Sequence, residues 1–391
     1  MTPSARVQAA IEILDAVIAS ARDDGPPADA IVSGYFKARR YAGSKDRRAV
    51  RELVFGAIRR IAERPAGGRS AMLAVAQDDP ELSALFDGSL HGPAAIAPGE
   101  TAAQPGLVPA WIEGELSPLV TPHEYPALLE RAPLDLRVNV ARLDREAALA
   151  KFDGATPTLL SPWGIRVPSE TRVDQHPSYL AGEVEVQDEG SQLIALACRP
   201  TDQTRILDLC AGAGGKALAL GAAAPGASIL ATDTNRARLS KLPPRAERAG
   251  ATIEARLLDG GREAEQLAEY EKSFDVVLVD APCSGSGTWR RNPEGRWRLT
   301  TERLDRVTAI QSRLLDIAAP LVMPGGTLVY AVCSIIAREG AGQVDAFLGR
   351  HSSWIAQDTL TTIGRSDGKG RLLTPACDST DGFFVATMTA P

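Results

Sequence analysis

The chain is poor in the residues that staple or metallate small folds. Its 391 residues hold five cysteines, Cys198, Cys210, Cys283, Cys333 and Cys377, odd in number and widely spread. Neither a disulfide framework nor a paired C-x-x-C zinc site is available, and a reducing compartment is implied. The four histidines, His91, His123, His176 and His351, lie far apart without ligand spacing, so no metal is expected. Long apolar runs are missing as well. The first helix-like stretch, Thr2 to Ala21, carries Arg6, Glu12 and Asp15 among its apolar residues, which excludes the core of a signal peptide and a bilayer span. A cytoplasmic protein without membrane contact is the expectation.

What is present is the balance of an ordinary folded protein: 44% hydrophobic and 24% charged residues. At roughly 150 residues per domain the length allows two or three cores. The formal net charge of -6 argues against a generic nucleic-acid coat, but distribution decides binding more than the sum. Lys37 to Arg60 holds nine Lys/Arg against Asp46 and Glu52, a local +7, and Trp289 to Arg313 holds seven Arg against Glu294, Glu302 and Asp305, a local +4. Either run on its own reads most simply as a solvated face.

Residues 1–130 read as all helical. Val7, Ala10, Ile11, Leu14, Val17 and Ile18 form one apolar stripe, and Val50, Leu53, Val54, Ala57, Ile58 and Ile61 a second, with Ser44 as its N-cap. Between Asp87 and Gly106, Gly, Pro and Ala without periodicity predict a loop. Residues 131–192 read as a small α+β unit, with strands near Leu134 to Val140, Gly164 to Val167 and Glu183 to Gln187 and a helix from Asp144 to Phe152. In residues 193–391 strands alternate with helices, at Arg205 to Leu209, Ser228 to Asp233, Ile253 to Asp259, Phe274 to Asp280 and Thr327 to Val332. That alternation predicts an α/β, doubly wound, mostly parallel sheet.

The first of these strands runs into Cys210-Ala211-Gly212-Ala213-Gly214-Gly215-Lys216 and a helix. Such a glycine loop lets a nucleotide-type ligand approach the backbone. The second strand ends in Asp233, placed where a ribose diol finds its acceptor. NAD and S-adenosylmethionine both use such an acid. The fourth strand separates them: it ends in Asp280, followed by Cys283, and the fifth ends in Cys333. Neighbouring strands would bring both thiols to one crevice, which hydride transfer does not need. A redox pair is the other option, without the usual C-x-x-C spacing. A thiol, an acid and a methyl donor in one cleft suit pyrimidine chemistry. A thiolate adding to carbon 6 makes carbon 5 nucleophilic toward a sulfonium methyl, and an acid such as Asp280 at the ring nitrogens stabilises the adduct.

These residues resemble the RsmB (Fmu/Sun) family of RNA cytosine-5 methyltransferases. The resemblance rests on Asp280-Ala-Pro282-Cys283-Ser284-Gly285, Tyr330-Ala-Val-Cys333-Ser334 and Asp381-Gly382-Phe383-Phe384. Asp46 to Arg59 resembles a NusB-like RNA-binding domain, and Leu134 to Asn139 with Val186 to Leu193 is similar to a small RRM-like unit. The resemblance implies a Rossmann-like methyltransferase domain acting on rRNA, 16S rRNA foremost. Cys333 would be the nucleophile, Cys283 the releasing group, and Asp280 would contact the cytosine beside Lys216. The loop Cys210 to Lys216, with Asp233, Asp259 and Asp280, would hold S-adenosylmethionine. Arg290, Arg291, Arg296 and Arg298, interleaved with Trp289 and Trp297, would contact RNA phosphates and stack on bases. A monomer is expected. Two departures stand out. Ala213 replaces the family's proline, and Ala337-Arg338-Glu339-Gly340 replaces its Pro, two Glu and Asn, matching only at Glu339. The rival readings are a non-catalytic RNA-binding ribosome-assembly factor, which would dispense with a catalytic cysteine, and a small-molecule methyltransferase, which has little use for the basic runs.

Overall fold

The computed structural model describes residues 1–358 and 360–391, which form two compact units. Among them, no helix is long and apolar enough to cross a membrane. The first unit comprises Met1–Leu116, Thr121–Glu130 and Thr288–Thr301. Its helices are α1 (Pro3–Arg22), α2 (Ala28–Ala38), α3 (Ser44–Arg60) and α4 (Gly68–Ala76). The expected stripes form the core: Val7, Leu14 and Val17 of α1 meet Val50, Val54 and Ile58 of α3 and Met72 of α4. Helices α1 and α4 approach closely because Gly68 has no side chain, and a Cβ there would lie 2.1 Å from the Ile11 carbonyl oxygen. The cap of α3 differs from expectation. Gly43, not Ser44, is the N-cap, and its N–H goes to the Asp46 carboxylate at 3.2 Å, which also accepts from Arg6 at 2.9 Å. Residues 84–109 follow as turns and irregular chain.

The short segment Thr288–Thr301 is a further difference, because the sequence places it in the last domain. Trp297 is 2% exposed and belongs to the helical core, and its indole N–H donates to the Ile61 carbonyl at 3.0 Å. Two tryptophans are a core-forming load, and here they outweigh the arginines among which they sit.

The second unit carries two sheets. The smaller contains β1 (Leu134–Val138), β2 (Thr156–Pro157), β3 (Gly164–Val167) and β4 (Val184–Val186), ordered β2-β3-β1-β4. All its pairings are antiparallel. Leu136, Val138, Ile165 and Val184 point to one face and pack with Ala148 and Phe152, as period-2 alternation requires. The Asn139 amide donates to the carbonyls of Gly182 and Ala249, both at 2.9 Å. The bond to Ala249 fastens the small sheet to the helix Leu242–Ala249, and residues 131–192 lie in the same compact unit as the large sheet.

The larger sheet contains β5 (Arg205–Asp208), β6 (Ser228–Asp233), β7 (Glu254–Leu257), β8 (Phe274–Asp280), β9 (Val322–Val332), β10 (Ile355–Gln357), β11 (Arg365–Asp367), β12 (Gly370–Leu373) and β13 (Phe383–Thr389). Its order is β11-β12-β13-β9-β8-β5-β6-β7, with β10 also on β13. The pairs from β7 through β9 are parallel. β13 runs antiparallel beside β9, a strand that alternation does not reveal because Phe383 to Met388 are all buried. Chain order reverses beside β5, and at the carboxyl end of such a switch point a crevice opens for ligand.

Candidate active site

The loop after β5 fills that crevice. Gly212 and Gly214 adopt φ of +58° and +81°, a region that favours glycine. A Cβ on Gly214 would lie 2.2 Å from Leu242. Gly215 is different, since its nearest protein neighbour would be the Gln187 amide nitrogen at 3.7 Å; its open side leaves a cradle that a ligand can enter. Three bonds hold the loop. Ala211 N–H donates to Thr232 O at 2.8 Å, Gly212 N–H donates to Asp233 Oδ2 at 2.7 Å, and Arg245 donates to the Ala213 carbonyl while bonded to Glu185 at 3.0 Å. Asp233 also accepts from Asn235 N–H at 2.6 Å. Each oxygen keeps a lone pair for a ligand hydroxyl, so the donor set fits a nucleoside. Asp259 lies exposed beyond β7, bonded to Gln266 at 2.7 and 3.0 Å. Under the loop Asp208 is fully buried, and neither oxygen completes a hydrogen bond. Burial, reinforced by the charge of Asp280, pushes its carboxyl up to about 7.

β8 and β9 are parallel neighbours, with Asp280 opposite Ala331, so the residues just past their ends share one rim. There Cys283 and Cys333 stand with their sulfurs 3.3 Å apart as free thiols. Lys216, the second residue of the helix Gly215–Ala223, donates to Asp280 Oδ2 at 2.6 Å. Burial lowers the pKa of its ammonium, but the charge of Asp280 and the hydrogen bond to it outweigh this and the net direction is upward. Lys216 is therefore a cation beside the Cys333 sulfur. The Cys283 thiol is held well above its usual range by its hydrogen bond to Cys333, by burial, and by the nearby Glu339 carboxylate. Cys210, in the loop, is pushed up chiefly by burial. The site thus pairs one thiol beside a lysine with another that keeps its proton. Among the described residues, no cluster suited to a metal ion occurs.

A network that the sequence does not disclose joins the two cysteine segments. The Glu339 carboxylate is fully buried and accepts from Ser284 N–H at 2.8 Å, Gln311 Nε2 at 2.9 Å, Ser334 Oγ at 2.5 Å and Ser284 Oγ. Ser286 Oγ bridges to Ser334 Oγ at 2.9 Å and accepts from Ile335 N–H at 3.0 Å. The serines beside each cysteine were the available sign. Gly287 continues the link, donating to Cys333 O at 3.1 Å.

The arginines expected to meet RNA are a correction. Arg296 is 2% exposed and donates to the carbonyls of Leu107 at 2.6 Å, Pro293 at 3.1 Å and Ile58. Arg290 and Trp289 are likewise buried, and Arg298 donates to the carbonyls of Gly25 at 2.9 Å and Pro26 at 2.7 Å. Arg291 is half-buried and also partnered. The guanidiniums of Arg296 and Arg298 thus serve backbone carbonyls left open at helix ends and turns. The other basic run behaves oppositely: Lys37, Arg40, Lys45, Arg47, Arg48 and Arg51 are exposed.

The switch-point loop and the sheet order define a Rossmann-like methyltransferase fold. The model of the 16S rRNA methyltransferase RsmB/F family matches residues 194–389, and the chain belongs to this family. A curated relative, ribosomal RNA small subunit methyltransferase B of Enterobacter sp. strain 638, is 35% identical over 290 residues, covering 72% of this chain and 66% of the relative. The match therefore spans just under two thirds of that protein. Among solved structures, the crystal structure of PH0851 matches with a TM-score of 0.73 at 20% identity, covering 98% of each chain. A methyltransferase homologue from Pyrococcus horikoshii matches with a TM-score of 0.60 at 22% identity, covering 68% of this chain and 90% of the other.

Proposed function

We propose that this chain transfers a methyl group from S-adenosylmethionine to carbon 5 of a cytosine in 16S rRNA, through a covalent adduct of Cys333 to carbon 6. The observation that carries the reading is the pair of thiols 3.3 Å apart at adjacent strand ends, with the Lys216–Asp280 pair beside them. When bound, S-adenosylmethionine supplies an electrophilic methyl group; the open side of Gly215 and the Asp233 carboxylate suit its amino-acid and ribose parts, and Asp259 lies further along the rim.

Cys333 attacks as a thiolate, its proton released to solvent and its charge eased by the Lys216 ammonium. Asp280 uses Oδ2 for Lys216, which leaves Oδ1 to accept a hydrogen bond from the cytosine amino group. Carbon 5, made electron-rich by the adduct, takes the methyl group. The carbon-5 proton then passes to water, the carbon 6–sulfur pair returns to Cys333, and the Cys283 S–H hydrogen-bonds the departing sulfur. The base must leave its stack to reach Cys333, so single-stranded or partly assembled RNA is the easier substrate. We read the first unit as a NusB-like RNA-binding domain working through its exposed basic run, and the small sheet as an RRM-like unit.

The test is a denaturing gel of Cys283→Ser and of Cys283→Ser/Cys333→Ser, each incubated with S-adenosylmethionine and deproteinised RNA. A protein–RNA band that survives denaturation in the single variant and vanishes in the double is expected. Absence of the band in both, with cofactor binding intact, would favour a non-catalytic assembly factor.

A further inference from the structure

Glu339 is a buried carboxylate whose partners are, among the described residues, all neutral: two serine hydroxyls, one backbone N–H and one amide. They come from three separate parts of the chain. Ser284 belongs to the Cys283 loop, Ser334 follows Cys333, and Gln311 lies in the helix Thr301–Ala318, where it also donates to the Pro282 carbonyl at 2.9 Å. Glu339 is tied back by its own carbonyl, which accepts from Tyr330 OH of β9 at 2.7 Å. A carboxylate in such a place pays heavily in lost hydration, and an uncharged Gln would fill the same space. Its charge is therefore the feature that calls for a role.

Glu339 acts on the Cys283 sulfur as a neighbouring negative charge. Facing Cys283 are Cys333 and Tyr330 of the β9 side and Glu339 from the turn that follows. Lys216 is bonded to Asp280 and interacts with Cys333. We propose that Glu339 is a positioning residue of the two-thiol site: it locks the Cys283 loop to the Cys333 strand end, and its negative charge reserves the shared proton for Cys283. Cys333 is then the sulfur free to attack, and Cys283 retains the S–H that assists its departure. This rests on the cytosine reading for its consequence in catalysis, but not for its measurement.

The measurement is alkylation of the whole protein by iodoacetamide across pH, with each cysteine followed by peptide mass spectrometry and neither RNA nor methyl donor present. In the wild type, Cys333 is expected to react at lower pH than Cys283. In Glu339→Gln the Cys283 midpoint should fall by about one unit or more, the size of effect a nearby like charge exerts. Ser334→Ala, which removes one bond but keeps the charge, should leave that midpoint near its wild-type place. A Glu339→Gln profile that overlays the wild type overturns the proposal. So does a wild-type protein in which Cys283 reacts first, an outcome that holds even where the Gln variant fails to fold. Loss of the covalent RNA band with the alkylation order intact would count against cytosine as substrate and leave the assignment of the proton standing.

Discussion

Gly287 and Gly382 meet backbone to backbone: Gly382 N–H donates to Gly287 O at 2.7 Å, and a Cβ on Gly287 would lie 1.9 Å from Gly382 O. The contact links the Cys283 loop to the start of β13, and Gly287 N–H in turn holds the Cys333 carbonyl. Gly287→Ala must push these segments apart, and overpacking of this kind costs about 1–3 kcal/mol. The melting temperature should drop and methyl transfer should be lost. Gly349→Ala is the control, because nothing lies within 4 Å of a Cβ there; a similar drop in both variants would remove the argument.

The Lys216–Asp280 pair predicts a split between binding and chemistry. With side chains 10% and 29% exposed, the pair is shielded from water but not sealed. Lys216→Met is expected to slow single-turnover methyl transfer by about 100-fold or more, in the range of a positioned acid–base group. Calorimetric binding of S-adenosylhomocysteine should change much less. Loss of binding with transfer retained at saturating donor would instead assign Lys216 to the cofactor.

The legible part of the site was the part carried by strand ends. β6 and β8 stop at Asp233 and Asp280 as their sequences suggest, and parallel pairing of β8 with β9 brings Cys283 to Cys333. Glu339 was illegible as a hub, since its donors lie 55, 28 and 5 residues away and no local period connects them. Arg296 was misread for a physical reason. A charge run reads as surface, while the tryptophans in it have more apolar area to bury than the guanidiniums have hydration to lose once carbonyls replace water. β13 escaped because burial on both faces erases the alternation that marks a strand.

That misreading yields a prediction about RNA. Lys45 and Arg48 lie on the exposed side of α3, so Lys45→Ala/Arg48→Ala should reduce the slope of log affinity against log salt by about two, one per phosphate contact. Arg296→Met should leave the slope of the folded protein unchanged while lowering stability by about 3 kcal/mol, because several carbonyls lose their donor at once. Filter binding across salt, together with urea unfolding, separates the two. A slope reduced by Arg296→Met would restore the phosphate-contact reading for that residue.

Asp208 makes stability depend on pH in a direction that can be worked out. Its carboxyl is raised from 3.8 to about 7 by burial, with the charges of Asp280 and Asp233 adding to the shift and the charge of Lys216 opposing it. Below pH 4 both folded and unfolded chains hold the proton. Between pH 4 and 7 the unfolded chain has released it and the folded chain has not, so the folded state binds more protons and loses stability as pH rises. Above 7 both are ionised and the loss is complete. Asp208→Asn removes this dependence and keeps a side chain of the same shape. Relative to wild type, the variant should gain stability from pH 4 to 7, by up to about 4 kcal/mol at about 1.4 per unit, and then level off. Urea unfolding midpoints at pH 5, 6 and 8 measure it, and a difference that is flat across those values would mean that Asp208 is ionised in the folded protein at pH 5, with Lys216 compensating its charge.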